Sequence, residues 1–304
     1  MNVISQFSGE KFTVYNADCV DVTSALPENS VDFSVFSPPF ASLYTYSDSD
    51  RDMGNSKNYE EFFRQFAFLT ENLFRIVKPG RIVAFHCMNI PAMKERDGYI
   101  GIKDFRGDLI RNFQSAGFIF HSEHCIWKDP LVEATRTKAI GLMHKQLCKD
   151  SSMSRSGIPD YLIAMRKPGE NENPISHASG LLDFCGENPP KKGVLSHENW
   201  RRYASPVWMD IDQSHTLQSD SARENNDERH ICPLQLDVID RALQLWSNPG
   251  DIVLSPFMGI GSEGYEAIRL NRKFIGVELK TSYYNAAVKN LQVIESKGTE
   301  NELF

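Results

Sequence analysis

The apolar positions of this chain change repeatedly between the spacing of a strand and the spacing of a helix. In segment 58–77, Phe62, Phe66, Leu69 and Leu73 recur every three or four positions, which is typical of an amphipathic helix. Short apolar runs predict strands at 11–17, 31–36, 81–86, 118–128, 160–167, 251–254 and 273–277. Further helices are predicted at 20–26, 105–116, 236–246 and 283–294. This alternation predicts an α/β domain with a mostly parallel sheet.

Two polar stretches interrupt the alternation. Residues 41–57 are rich in Ser, Asp, Gly and Tyr, which favours a long loop. Residues 168–228 are rich in Asn, Ser, Pro, Gly and acids and show little periodicity, so we expect an irregular excursion with an apolar anchor near 200–211. The sequence therefore divides into 1–167, an insertion at 168–228, and 229–304.

The four residues Ser37-Pro38-Pro39-Phe40 directly follow a predicted strand. Proline lacks the N–H that sheet pairing needs, so the chain has to leave the sheet here with a stiff backbone. The turn presents a hydroxyl, bare carbonyls and an aromatic ring at the carboxyl end of a strand, where open α/β sheets bind ligands. Acceptors beside a stacking ring suit a flat group that carries an NH2, such as a nucleobase. The alternative interpretation is that these residues form only a Pro-rich turn at the end of a strand, which has the same sequence pattern.

A second element, more than 200 residues later, has the pattern of a cofactor-binding unit. A strand at 251–254 is followed by Gly259 and Gly261, then by a helix and by a strand that ends at Glu278. The glycines allow a tight turn, and an acid about 20 residues further on can accept hydrogen bonds from ribose hydroxyls. Glu263, at the start of the helix, would repel a pyrophosphate. These residues favour a ligand with a ribose but no phosphate, S-adenosylmethionine rather than NAD.

Composition adds limits rather than a function. The 304 residues are 41% hydrophobic and 24% charged, which is ordinary for a globular protein. The net charge of −7 argues against a broadly basic surface and still allows a local basic face. Six cysteines lack CxxC spacing, and we see neither a signal peptide nor a run near the roughly 18 apolar residues of a membrane span. We expect a cytoplasmic protein with reduced thiols and no metal site.

Together the motifs resemble those of the amino-directed DNA methyltransferases, which methylate cytosine N4 or adenine N6. The resemblance rests on residues 37–40, on the turn at 255–261 and on Phe274-Ile275-Gly276-Val277-Glu278. The catalytic motif precedes the cofactor motif, as in the permuted β group. The resemblance covers about 11–167 and 230–294 and implies a Rossmann-like, seven-stranded, mostly parallel methyltransferase sheet. The resemblance implies that residues 1–167 form the catalytic half of the domain and residues 229–304 the cofactor-binding half. Residues 168–228 are then a DNA-recognition or lid region.

The same resemblance implies roles for individual residues. The catalytic residues are Ser37, Pro38, Pro39 and Phe40. The cofactor is S-adenosyl-L-methionine, held by Asp18, Cys19, Pro233, Ser255, Phe257, Gly259, Gly261 and Glu278. Ser255 stands where the family usually has Asp, Ile260 where it often has Ser, and Glu263 where Thr is common. These departures concern recognition of the methionine end of the cofactor.

The implied reaction requires that the target base be flipped out of the duplex. Ser37 Oγ and the Pro38 carbonyl accept the N–H groups of the exocyclic amine, which frees its lone pair for attack on the sulfonium methyl and stabilises the charge that forms. Phe40 stacks on the base, and His86 is expected to be a satisfied buried histidine rather than a base. Ser37 favours cytosine N4, with adenine N6 as the alternative. Two other classes stay open, a nucleotide-binding Rossmann oxidoreductase and a non-catalytic DNA-binding module.

Basic and aromatic residues outside the motifs are candidates for contact with DNA. A basic insertion at about 129–159, with Lys128, Arg166 and Lys167 beside it, could bind phosphates, although most charge runs are simply solvated. The candidates are Tyr44, Arg51, Arg136, Lys138, Lys145 and Arg155. The expected partner is double-stranded DNA. A second copy of the chain and a cognate restriction endonuclease are further candidate partners, and no membrane contact is expected.

Overall fold

A computed structural model describes residues 2–40, 53–56, 58–92, 94–137, 147–153, 156–177, 194–217 and 233–301. Eleven strands lie within these ranges. They are β1 (Val3–Ser8), β2 (Phe12–Ala17), β3 (Val31–Phe36), β4 (Val77–Met88), β5 (Ile90–Ala92), β6 (Gly101–Lys103), β7 (Ile119–Ile126), β8 (Asp160–Arg166), β9 (Val207–Trp208), β10 (Ile252–Ser255) and β11 (Lys273–Glu278). Strands β5 and β6 form a small sheet of their own, and the other strands form the central sheet.

Within the described ranges, the central sheet has nine strands in the order β1-β2-β11-β10-β3-β4-β8-β7-β9. The five strands from β2 to β4 run parallel, and β8 runs antiparallel between β4 and β7. The seven strands from β2 to β7 match the expected sheet. The expected count of seven was too low, because β1 and the two-residue β9 extend its edges. Most side chains of β1 are exposed, so this strand has no apolar run to mark it.

Helices cover both faces of the sheet. The described helices are α1 (Cys19–Ala25), α2 (Tyr59–Ile76), α3 (Lys94–Asp97), α4 (Phe105–Ser115), α5 (Pro130–Thr137), α6 (Val194–Ala204), α7 (Leu236–Trp246), α8 (Ser262–Arg269) and α9 (Thr281–Asn301). Short 3-10 turns lie at Met53–Asn55 and Ser151–Met153. None of the helices in the described part of the chain is long and apolar enough to cross a membrane.

Alternate side chains of the central strands pack into two separate hydrophobic cores. On β3, Phe33 faces a core that includes residues of α7, α8 and α9, whereas Phe36 faces a core built with α1, α2 and α4. The same alternation occurs on β10, where Val253 and Leu254 enter opposite cores. This period of two is the strand geometry that the apolar runs predicted. A strand buried on both faces is held in one position, and so is the turn that follows it.

Strand β4 begins earlier than predicted. The sequence predicted a helix within 58–77 and a strand from 81, but α2 ends at Ile76 and passes directly into β4 at Val77. Gly80 adopts a φ of +73°, a conformation that favours glycine, and its N–H donates to the Lys167 carbonyl at 3.0 Å. The turn residues therefore bend the strand without ending its pairing.

A buried ionic cluster fixes the end of the sheet opposite to the strand tips. Arg81, which is 1% exposed, lies 3.0 Å from Asp251 and 3.4 Å from Asp32. Asp32 also contacts Lys78 at 2.6 Å and accepts a hydrogen bond from the backbone N–H of Ile252 at 2.9 Å. These bonds join β3, β4 and β10 and fix their relative register.

The insertion contains regular structure that the sequence did not predict. Helix α6 and strand β9 lie where an irregular excursion with an apolar anchor was expected. Trp208 is 1% exposed, and its ring stacks on His124 with centroids 4.4 Å apart. Its indole N–H donates to the Tyr203 carbonyl at 3.1 Å. Asp210 forms an ion pair with Arg241 at 2.8 Å, so this part of the insertion is tied to α7.

Candidate active site

The two sequence motifs meet at the carboxyl edge of the central sheet. Strands β3 and β10 are parallel neighbours, so the turns that follow them leave the sheet side by side. The rings of Phe36 and Phe257, one in each segment, have centroids 5.7 Å apart. A nucleobase-type motif and a cofactor-type motif from distant parts of the chain therefore border one another.

Ser37 is the first residue after β3, and its hydroxyl contacts a histidine on the neighbouring strand. The register pairs Phe36 with Phe85, which places Ser37 next to His86. Ser37 Oγ and His86 Nδ1 are 3.0 Å apart. Ser37 is half-buried and Pro38 is buried. The sequence predicted a satisfied buried histidine at His86. Its contact with Ser37 was not predicted, because strand pairing is not visible in the order of residues.

The far side of the His86 ring faces a buried carboxylate. His86 Nε2 and Asp160 Oδ2 are 3.1 Å apart, an ion-pair distance at which the N–H is not aligned for a good hydrogen bond. The Nζ of Lys128 lies 2.6 Å from the same oxygen. Burial opposes ionisation of Asp160, but His86 and Lys128 outweigh it and hold the pKa of this carboxyl below its usual value. Lys128, which lies beside the basic insertion in the sequence, thus balances the charge of Asp160.

Phe40 ends the Pro-Pro turn against an aromatic cluster. Its half-buried ring lies 6.1 Å from that of Phe105, which also contacts Tyr59 at 6.1 Å. The Tyr59 hydroxyl donates to Asp108 at 2.6 Å, and burial is the main cause that raises the pKa of this phenol. These packed neighbours hold Phe40, while part of its ring remains accessible for stacking.

The glycine turn after β10 has the shape of a ligand cradle. Gly259 and Gly261 have φ values of +52° and +92°, in the region that favours glycine. A Cβ on Gly259 would meet nothing within 4 Å, whereas one on Gly261 would lie 3.2 Å from Ala287. The space above Gly259 is thus open to a ligand. Gly261 permits the close approach of α9.

Glu278 lies beside this cradle but already has backbone partners. Its Oε2 accepts a hydrogen bond from the Gly259 N–H at 3.0 Å, and its Oε1 accepts one from the Lys280 N–H at 2.8 Å. Asn16 donates to the carbonyl of Glu278 at 2.9 Å and thereby braces the strand tip. A carboxylate oxygen can accept more than one hydrogen bond, so Glu278 can still receive a ribose hydroxyl.

Two polar side chains in the cofactor segment are buried. Ser255 is fully buried, and its Oγ has no hydrogen-bond partner among the described residues. Burial, with a smaller contribution from Glu278, raises the pKa of Glu263 to about 8. Glu263 is therefore mostly protonated at pH 7, which weakens the argument that its charge repels a pyrophosphate. An orphaned hydroxyl, a neutral acid and an open glycine cradle fit a bound nucleoside with polar groups.

The remaining expected cofactor residues occupy different settings. Asp18 caps α1, its Oδ1 accepting the Val20 N–H at 2.8 Å. Cys19 is buried, and burial, followed by the Asp18 charge, raises the pKa of its thiol. Pro233 is half-buried shortly before α7. Asp18 and Cys19 follow β2, which pairs with β11, so they share an edge with Glu278.

The proposed DNA-contacting side chains lie outside the part of the chain that the structure describes. Those outside are Tyr44, Arg51, Lys138, Lys145 and Arg155, together with the side chain of Arg136 on α5. Lys167 donates to the Val77 carbonyl at 2.8 Å, and Arg166 donates to the Gly169 carbonyl at 2.9 Å. Both lie at the edge of the sheet opposite to Ser37. They brace that edge instead of joining a basic face at the site.

Comparison with known proteins places this geometry in a family. The family model of N6/N4 DNA methylases matches residues 31–289. The type II methyltransferase M.BglII of Bacillus subtilis is 26% identical over 296 residues, which cover 96% of this chain and 71% of the relative.

Two solved structures share the fold. TTHA0409 of Thermus thermophilus, complexed with S-adenosyl-L-methionine, has a TM-score of 0.64 at 21% identity, covering 92% of this chain and 94% of its own. The PvuII DNA methyltransferase, described as cytosine-N4-specific, has a TM-score of 0.61 at 17% identity, covering 97% and 96%. The family match includes both the Ser37 turn and the Gly259 turn. The chain belongs to the N6/N4 DNA methylase family and is an S-adenosylmethionine-dependent DNA amino-methyltransferase.

Proposed function

We propose that this enzyme methylates the N4 amine of cytosine in double-stranded DNA, after the base has been flipped out, and that Ser37 is its central catalytic residue. The observation that carries the proposal is the meeting of the Ser37 turn with the Gly259 turn on adjacent parallel strands. An amine acceptor and a methyl-donor cradle must lie side by side for direct transfer. Holding the two reactants at attack distance supplies much of the rate enhancement.

The catalytic turn acts through fixed hydrogen-bond acceptors. Ser37 Oγ and the Pro38 carbonyl receive the N–H groups of the target amine and stabilise the positive charge that develops on its nitrogen. The prolines, which cannot pair in the sheet, keep these acceptors in place. Phe40, half-exposed against Phe105, provides the stacking surface for the flipped base.

The cofactor residues form the other half of the site. S-adenosylmethionine, when bound, supplies the electrophilic sulfonium methyl. Gly259 leaves room for the ligand, and Glu278 accepts the ribose hydroxyls. Ser255 Oγ and the protonated Glu263 are buried polar groups suited to the methionine end. Asp18 and Cys19 lie on the adjacent strand tip, Phe257 packs under the turn, and Pro233 precedes α7.

The choice of cytosine N4 rests on Ser37 at the first motif position. Adenine N6 is the alternative within the class. Membership of the DNA methylase family argues against a nucleotide-binding oxidoreductase. A methyl-transfer assay distinguishes an enzyme from a non-catalytic DNA-binding module. The order of the motifs along the chain supports assignment to the permuted β group.

Binding of the duplex involves regions beyond the strand tips. We propose that the basic segment near 129–159 and residues 168–228 contact DNA, with Tyr44, Arg51, Arg136, Lys138, Lys145 and Arg155 as the candidate side chains. Contacts with phosphates would position the duplex without reading its sequence. The other proposed partners are a second copy of the chain and a cognate restriction endonuclease. The proposed compartment is the cytoplasm. Light scattering of the purified protein tests the homodimer.

One assay tests the proposal. The enzyme is incubated with unmethylated duplex DNA and methyl-labelled cofactor, the DNA is digested to nucleosides, and the product is identified by mass. N4-methyldeoxycytidine as the labelled product supports the proposal. N6-methyldeoxyadenosine establishes the alternative, and the absence of a labelled nucleoside refutes catalysis on DNA bases.

A further inference from the structure

A chain of polar side chains leads from Ser37 into the interior of the protein. Ser37 Oγ contacts His86 Nδ1 at 3.0 Å, and His86 Nε2 contacts Asp160 Oδ2 at 3.1 Å. The Nζ of Lys128 lies 2.6 Å from the same oxygen. The residues come from the tip of β3, from β4, from the start of β8 and from the segment after β7. Four separate segments therefore supply one line of polar groups, with a hydrogen bond between Ser37 and His86 and ionic contacts from His86 and Lys128 to Asp160.

Burial and charge determine the protonation of this chain. The side chains of His86 and Asp160 are 11% and 4% exposed. His86 and Lys128 hold the pKa of Asp160 below its usual value in spite of burial, so this carboxyl is an ionised acceptor. The imidazole nitrogen that faces a carboxylate carries the proton. Nε2 is thus protonated, and Nδ1 presents a lone pair to Ser37.

This tautomer determines what Ser37 offers to a substrate. A serine hydroxyl has one hydrogen and two lone pairs and can turn either toward a neighbour. Because Nδ1 is an acceptor, the Ser37 hydrogen points at His86, and the oxygen lone pairs remain for the target amine. A hydroxyl without this partner could present its hydrogen to the amine, which is the wrong polarity for the proposed reaction.

We propose that His86 is a positioning residue that keeps Ser37 as a hydrogen-bond acceptor and receives the proton released by the methylated amine. This inference rests on the proposed function. The amine nitrogen forms a bond to the methyl carbon as the carbon–sulfur bond breaks, and the electron pair of that bond goes to sulfur. The nitrogen is left with a positive charge and a surplus proton. That proton passes to Ser37 Oγ while the Ser37 proton passes to Nδ1, and the resulting imidazolium is stabilised by Asp160.

The arrangement has the order of a Ser–His–Asp triad with a different role for the serine. In hydrolases such a serine attacks the substrate, whereas here it accepts a hydrogen bond and relays a proton. The exchange needs no other reactant, because the imidazole can release its proton to solvent between turnovers.

Other titratable groups lie around the His86 imidazole. Asp160 and Lys128 carry opposite charges, and burial raises the pKa of the Cys87 and Cys125 thiols, which keeps both thiols neutral. Arg106 packs over the Tyr161 ring at 4.9 Å, on the β8 residue that follows Asp160. Among these described neighbours, Asp160 makes the direct ionic contact with His86.

The test uses His86→Ala and His86→Asn, with His121→Asn as the matched control. His121 is exposed on β7, close to Arg166 and far from the strand tips. We expect His86→Ala to lower kcat about a hundredfold, the usual size of a general-base contribution, with little change in cofactor affinity or KM for DNA. His86→Asn can still accept the Ser37 hydrogen but cannot take a proton. It should recover part of the kcat that His86→Ala loses.

A spectroscopic measurement on the native protein tests the same inference without a variant. The 15N shifts of labelled histidines should show His86 with a bare Nδ1 and a protonated Nε2 at neutral pH. The opposite tautomer would overturn the proposal, as would full kcat in His86→Ala or a kcat in His86→Asn no higher than in His86→Ala. Loss of activity in Ser37→Ala together with full activity in His86→Ala would overturn only the role of His86. A native enzyme that methylates no base would overturn the proposed function itself.

Discussion

The hydroxyl of Ser34 on β3 donates a hydrogen bond to the carbonyl oxygen of Leu254 on β10 at 2.9 Å, across 220 residues of chain. Both residues are fully buried. Ser37 follows a few residues after the donor, and the Gly259 turn follows a few residues after the acceptor. The two halves of the active site are therefore fixed to each other by the interior of the sheet.

Replacement of Trp208 tests how firmly the insertion is attached to the catalytic fold. Trp208→Ala removes a buried ring that stacks on His124, and we expect a loss of about 3 to 5 kcal/mol in the free energy of unfolding. Trp200→Ala is the control, because Trp200 is 61% exposed on α6. Denaturant unfolding measures both variants. Equal stability of the two would show that the insertion does not pack as described.

Replacement of Gly259 should weaken cofactor binding through steric overlap with the ligand, an effect that can be separated from backbone strain. Gly259→Ala places a methyl group in the open space above the turn, and a φ of +52° costs roughly 1 to 2 kcal/mol for alanine. Calorimetric titration should show S-adenosylmethionine bound at least about tenfold more weakly, which corresponds to about 1.4 kcal/mol.

Gly250→Ala is the matched control for that measurement. Gly250 has a φ of +85° in an exposed turn, and a Cβ there would also meet nothing within 4 Å. Gly250→Ala therefore introduces the same backbone strain as Gly259→Ala, but at a position away from the strand tips. If both variants bound the cofactor as the native protein does, the ligand would not lie above Gly259.

The buried acid Glu263 predicts a pH dependence of stability. Its pKa is raised to about 8 in the folded protein from an ordinary value of 4.5. Between these two values the folded state binds more protons than the unfolded state, so this group lowers stability as pH rises from about 4.5 to 8. Glu263→Gln should therefore match the native protein in Tm at low pH and exceed it at pH values above about 8.

The effect of Glu263→Gln is measured as the difference in Tm between the variant and the native protein across pH. Asp240, whose pKa burial raises to about 7, keeps part of the native slope in the variant. The exposed Glu28→Gln serves as the control and should leave the slope unchanged. A Glu263→Gln difference that stayed flat with pH would show that Glu263 is ionised in the fold.

Much of the fold could be predicted because its central strands are buried on both faces. Strand β3 was predicted with its observed bounds, since all of its residues are buried and it ends just before the Pro38 turn. Strand β1 and helix α6 were missed. Most β1 side chains are exposed, and α6 carries few apolar residues in a periodic pattern, so neither leaves a hydrophobic signal.

The site was predicted only as far as its parts are continuous in sequence. The Ser37 and Gly259 turns are local patterns, and each was recognisable alone. The contacts of His86 with Ser37 and with Asp160 depend on the register of β3, β4 and β8, which no local pattern records. The buried state of Glu263 was missed for the same reason, because its low exposure results from tertiary packing.

The central claim is that Ser37 is needed for methyl transfer but not for cofactor binding, because other residues form the cofactor half of the site. The most direct measurement compares cofactor binding and methyl transfer to duplex DNA in Ser37→Ala, with Ser30→Ala, at a half-buried serine before β3, as control. We predict that Ser37→Ala binds S-adenosylmethionine as tightly as the native enzyme and loses turnover by a factor of about a hundred or more. Full turnover in Ser37→Ala would contradict the account.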